Sequence, residues 1–69
     1  MNRELLERAN HLRMSDQNAL ADKIYNQLLE DDPNNDEYIF CKAMNVSKSQ
    51  PREAVKLFTK VLELSLIHI

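Results

Sequence analysis

The sequence predicts an all-α chain of four helices arranged as two helix–turn–helix hairpins. Three observations carry this. The stretch Asp16 to Pro33, DQNALADKIYNQLLEDDP, places Leu20, Ile24, Leu28 and Leu29 on one amphipathic stripe, with Ala21 and Tyr25 alongside, and it ends at a proline. The stripe then returns: Ala21, Ile24, Tyr25, Leu28 and Leu29 recur under one constant offset as Ala54, Leu57, Phe58, Val61 and Leu62. Finally, Gly is absent and Pro occurs twice, so the tight hairpin turns of an all-β fold have little to be built from.

The 69 residues suffice for one small domain, with an apolar fraction of 43% and a charged fraction of 29% typical of a folded chain. The net charge of −2, with basic residues scattered from Arg3 to Lys60, supplies no cluster to neutralise adjacent phosphates, so no nucleic-acid partner is expected. No basic stretch leads into an apolar run at the start, and no apolar run approaches a membrane span, so neither secretion nor a membrane partner is expected. A single cysteine, Cys41, forms no internal disulfide, and a cytoplasmic chain is the expectation.

The first helix is expected over Asn2 to Met14, with Leu5, Ala9 and Leu12 on one face and Leu6 beside them. Asn2 is a candidate N-cap, Glu4 sits where the helix dipole favours an anion, and Arg3–Glu7 and Glu4–Arg8 are i,i+4 pairs. Ser15 and Asp16 interrupt this helix, and either is a candidate cap for the second, which runs from about Asp16 or Gln17 to Glu30. Asp31-Asp32-Pro33 stops that helix, because a residue before proline is pushed out of the α region. Asn34 or Asn35 then caps a third helix that turns Ile39, Ala43 and Val46 inward. Ser47 to Gln50 form a turn, and Pro51 suits the first turn of a fourth helix ending near Leu64.

The leading helices repeat as well. Leu5, Ala9 and Leu12 return under a constant offset of their own as Ile39, Ala43 and Val46. That offset is one position longer than the one relating the trailing helices, which implies a turn one residue shorter in the second unit. The units are therefore 2–33 and 34–64, followed by a tail at 65–69. Neither hairpin can bury its apolar face alone, so the two must stack.

These residues resemble the tetratricopeptide repeat. That family carries a small residue in its first helix, then Ala, an aromatic, a small or apolar residue and Pro in its second. Ala9, Ala21, Tyr25, Leu28 and Pro33 match in the first unit, and Ala43, Ala54, Phe58 and Val61 in the second. The corner LLEDDPNN is similar to the family's helix-to-helix corner. Departures are the Ala in place of Gly, Leu12 and Val46 in place of a late aromatic, and the missing second Pro. The half-a-TPR repeats of RNA-processing scaffolds share the Ile24-Tyr25 pair but normally carry a tryptophan, which this chain lacks.

The resemblance implies a non-catalytic scaffold whose leading helices line a concave groove for a peptide or partner helix. Arg3, Leu6, Asn10 and Arg13 would face that groove in the first unit, and Glu37, Phe40, Met44 and Ser47 in the second. The alternative is that Leu6, Phe40 and Met44 simply pack between helices. One subclass of the family clamps a chaperone C-terminal carboxylate through a Lys and two Asn. Asn10 matches one of them, but Leu6 and Cys41 stand at the other positions, so a carboxylate lacks its donors.

Sites for chemistry are not evident, and no cofactor, metal or enzymatic activity is expected. Asp32, Asn34 and Asp36 alternate as in a calcium loop, yet Glu37 stands where that loop needs Gly and Ala43 where it needs an acid. His11, Ser15 and Asp16 straddle a turn with no oxyanion site, which suits a surface histidine and a cap. Cys41 has no identifiable histidine partner and reads as a structural thiol.

The tail Ser65 to Ile69 is apolar. LSLIHI resembles translated sequencing-adapter read-through, which would make residues after about Glu63 non-native and the chain an N-terminal fragment of a longer array. The alternative is a native tail that folds back as a short cap or supports self-association through an uncovered C-terminal face. A structural or oligomerisation appendage of a larger enzyme or regulator is the competing function.

Overall fold

The structure, a computed structural model, describes the backbone of residues 2–67 and the side chains of residues 3–66. The described residues are all-α: α1 spans Asn2–Met14, α2 Asn18–Asp31, α3 Asp36–Val46 and α4 Pro51–Ile67. Helices α1 and α2 pair as one hairpin and α3 and α4 as a second. The hairpins stack through α2 against α3, with α1 also touching α3. The result is a flat slab of 34 × 29 × 17 Å.

The core cluster joins Leu6 and Ala9 of α1, Ala21, Tyr25 and Leu28 of α2, and Tyr38 of α3. Ile39, Ala43, Val46 and Ala54 are buried beside it. Alanine stands in each helix where burial is complete or nearly so, because a methyl lets paired backbones approach closely. Tyr25, Leu28 and Ile39 are the largest fully buried side chains, each stabilising the fold by about 1.5–3 kcal/mol through removal of apolar surface from water. Leu20, read from the sequence as part of the apolar stripe of α2, lies instead about half in solvent.

The first turn differs from the sequence expectation. Neither Ser15 nor Asp16 caps α2; Gln17 occupies the N-cap position without a side-chain hydrogen bond. Asp16 instead closes α1. Its φ is 64°, in the left-handed region, while Gln17 N–H donates to the Leu12 carbonyl at 2.9 Å and Asp16 N–H to Arg13 at 3.2 Å. That is a Schellman ending, which satisfies carbonyls the helix leaves open. Asn2 is already helical, and its proposed capping side chain lies outside the described residues.

The corner at Pro33 behaves as its sequence dictates. Asp32 leaves the α region at φ −141° and ψ 74°, and Asn35 caps α3 by accepting from the Tyr38 N–H at 3.1 Å. Asn35 also donates to the Asp32 carboxylate at 3.1 Å.

The one-residue difference between the repeat offsets is not a shorter turn. Helix α3 has 11 residues against 13 in α1, whereas the turn at 47–50 is longer than the turn at 15–17. Asp16 is the only described residue with positive φ, so the second turn lacks the left-handed residue that tightens the first. Helix α4 begins at Pro51, as expected, but runs beyond Leu64 through Ser65 and Leu66 to Ile67. The described part of the tail thus extends the helix rather than folding back as a cap. His68 and Ile69 lie outside the described residues.

Candidate partner-binding face

Tyr25 of α2 links to α1 through Asn10 and Arg13 and lies in electrostatic reach of Cys41 on α3. The buried Tyr25 hydroxyl donates to Asn10 Oδ1 and accepts from Arg13 Nε at 3.2 Å. Two of the polar residues predicted to face a groove are therefore held half-buried by a core side chain. Cys41 of α3 lies within reach of both, and Glu37 sits one turn earlier on α3.

Burial pushes the Cys41 thiol above its ordinary value of 9.0; Arg13 opposes this, Glu37 adds to it, and a hydrogen bond with Asn10 opposes it. Burial likewise raises Tyr25, against the hydrogen bond and charge of Arg13. The thiol is therefore kept in its neutral, poorly nucleophilic form at physiological pH. Such a cluster is suited to hydrogen bonding rather than to covalent chemistry.

The remaining predicted residues separate into distinct environments. Leu6 is only 5% exposed and belongs to the core, so packing between helices describes it better than a groove. Arg3 stands in solvent beside Glu7, at 4.0 Å. Phe40 and Met44 remain 45% and 39% exposed, although the Phe40 ring meets Phe58 of α4 edge-on at a centroid distance of 5.6 Å. The Ser47 hydroxyl turns back to donate to the Met44 carbonyl at 2.9 Å. What α1 and α3 present together is Asn10, Arg13, Glu37 and Cys41, with Phe40 and Met44 exposed along α3. No family model, curated protein or solved structure matches this chain. The resemblance to tetratricopeptide repeats therefore rests on the residues quoted for it.

Two polar ties between the hairpins were not foreseen from the sequence. Asn45, buried on α3, exchanges hydrogen bonds with Asn18 at the start of α2. Asn18 Nδ2 donates to the Asn45 carbonyl at 3.0 Å and to its Oδ1 at 2.9 Å, and Asn45 Nδ2 donates to the Asn18 carbonyl at 2.9 Å. The available signal was a lone amide between the apolar positions Ala43 and Val46. Lys42 reaches Asp22 Oδ1 at 3.4 Å and donates to Asn26 Oδ1. Asp22 Oδ1 is buried without a well-directed hydrogen bond, so the ammonium charge is what compensates it. Beside these ties, Asn18, Asp22, Lys23, Ser49 and Gln50 line an open cleft of about 510 Å³.

Residues of the other sequence constellations make local hydrogen bonds. Ser15 Oγ donates to the His11 backbone carbonyl at 3.0 Å, within its own helix end. Asp32 is engaged by Asn35 at the corner. Among the described residues no three His, Cys, Asp or Glu side chains converge for a metal, and no helix is long and apolar enough to cross a membrane.

Proposed function

We propose that the chain is a tetratricopeptide-type scaffold that binds a peptide or partner helix across α1 and α3. The observation that carries this reading is a preorganised polar cluster on α1 together with exposed apolar side chains on α3. Asn10 and Arg13 are fixed by the buried Tyr25 hydroxyl, while Phe40 and Met44 offer adaptable apolar area on the helix that carries Cys41. Side chains held in place before binding lose less entropy when a partner arrives. The expected partner carries an apolar anchor for Phe40 and Met44 and acceptors for Arg13.

Peptide display against the chain tests this, followed by mapping of the selected peptides by amide chemical shifts. Phe40→Ala and Arg13→Glu should each weaken a selected peptide by about tenfold or more, as truncation of an anchor does. Perturbations confined to the outer side of α2 would overturn the assignment. A second reading, a structural or oligomerisation element of a larger protein, draws support from the uncovered side of α4.

A further inference from the structure

The side of α4 away from its own hairpin partner carries Val55, Thr59, Leu62 and Leu66. Their spacing of i, i+4, i+7 and i+11 makes one straight seam along a helix. Val55, Leu62 and Leu66 are 63%, 66% and 70% exposed. Thr59 donates its hydroxyl to the Val55 carbonyl at 2.8 Å, so its polar group is already satisfied within the helix. Among the described residues α4 packs on α3 and on no other helix.

The repeat identifies what kind of face this is. Under the offset that carries Ala21 onto Ala54, the seam positions Val55, Thr59 and Leu62 correspond to Asp22, Asn26 and Leu29 of α2. There the second hairpin covers the helix, with Lys42 reaching both Asp22 and Asn26. The seam on α4 is therefore the equivalent of a face already used for stacking, but apolar and, among the described residues, uncovered.

The occupant follows from complementarity. Head-to-tail stacking would bring the α1 of another copy into the role of α3. Under the offset that carries Ala9 onto Ala43, the α3 residues Tyr38, Lys42 and Asn45 correspond to Glu4, Arg8 and His11. Those three are exposed and polar, and they match an apolar seam poorly. Antiparallel pairing of α4 with a second α4 matches far better. It sets Val55 against the partner's Leu66 and Thr59 against the partner's Leu62, and the two-fold axis repeats both contacts. Exposed Lys56 and Glu63, which flank the seam on one side, then face the partner's Glu63 and the partner's Lys56.

We infer that the chain forms a two-fold dimer through antiparallel α4 helices, with an apolar seam flanked by two Lys56–Glu63 pairs between copies. One helix face per copy falls below the roughly 1,200 Å² of a standard interface, so the dimer is transient and appears with rising concentration. The inference rests on α4 and is independent of the partner face on α1 and α3.

Sedimentation equilibrium of the whole chain from about 10 μM to 1 mM tests it by mass action. The mass should climb from that of one 8.1 kDa chain toward twice that value and stop there. Leu62→Lys should raise the dissociation constant by about tenfold or more, as loss of a central anchor does. Lys56→Glu and Glu63→Lys should each raise it by about threefold, and the double reversal should restore it, as a direct pair requires. Circular dichroism checks that each variant keeps its helix. A mass fixed at one chain across the range overturns the dimer, as does growth beyond two copies. Failure of the double reversal to rescue overturns the antiparallel register.

Discussion

At the scale of single residues, the most informative positions are polar groups inside or beside the core. Asn45 is buried and makes both side-chain and backbone hydrogen bonds with Asn18. Asn45→Ala should lower stability by about 1–3 kcal/mol, because the amide partners of Asn18 are lost in a partly buried site. For a domain of this size the thermal midpoint should fall by about 5–15 °C in a melting scan. Asp16 offers the opposite opportunity. Its left-handed φ of 64° favours glycine, so Asp16→Gly should raise stability by about 0.5–1 kcal/mol in urea titration. Cys41 sets an alkaline limit. Its thiol holds its proton above the ordinary value of 9.0, so at neutral pH it is protonated in both the folded and unfolded states and contributes no pH dependence there. Above pH 9 the unfolded thiol ionises first, the unfolded state binds fewer protons, and stability declines toward the raised folded value. Tyr25 extends the decline above 10.0. Cys41→Ala should flatten the slope that begins near the ordinary thiol value and leave the later one in place, as read from urea midpoints across pH.

At the scale of elements, the helices differ in how much holds them. Helix α2 buries Ala21, Tyr25 and Leu28 between two neighbours, whereas among the described residues α4 packs on α3 alone and exposes Leu62 and Leu66. Leu28→Ala should cost about 2–4 kcal/mol, while a change at Leu62 in the monomer should stay within about 0.5 kcal/mol. Amide exchange should be fastest in the last turns of α4 and slowest along residues 21–28 of α2. The same contrast explains what was legible in advance. Helix identity and the Pro33 corner follow from apolar period and local sterics, which act within a few residues. Where α2 begins and α3 ends depends instead on the left-handed Asp16 and on Asn18 meeting Asn45 across 27 positions. The site was harder still. Leu6 and Phe40 are equivalent under the repeat of the leading helices, yet one is core and the other half in solvent. What separates them is that α3 lies beside α1, while among the described residues no further helix lies beside α3 in the same way.

At the scale of the whole molecule, each helix packs chiefly on its sequence neighbours, an arrangement in which stability adds from unit to unit. Fraying can therefore begin at α4 without disturbing α1 and α2. The tyrosines give this an optical consequence. The chain has no tryptophan, and its two tyrosines, Tyr25 and Tyr38, belong to one buried cluster joining the first hairpin to α3. Ultraviolet absorbance of the phenols thus watches that junction and is nearly blind to the end of α4. Far-ultraviolet dichroism counts every turn equally. On heating, the dichroism should begin to fall several degrees before the tyrosine signal moves. Coincident curves would instead mean that α4 melts together with the rest. The two colours of light, recorded on one sample, separate the edge of the molecule from its middle without a label.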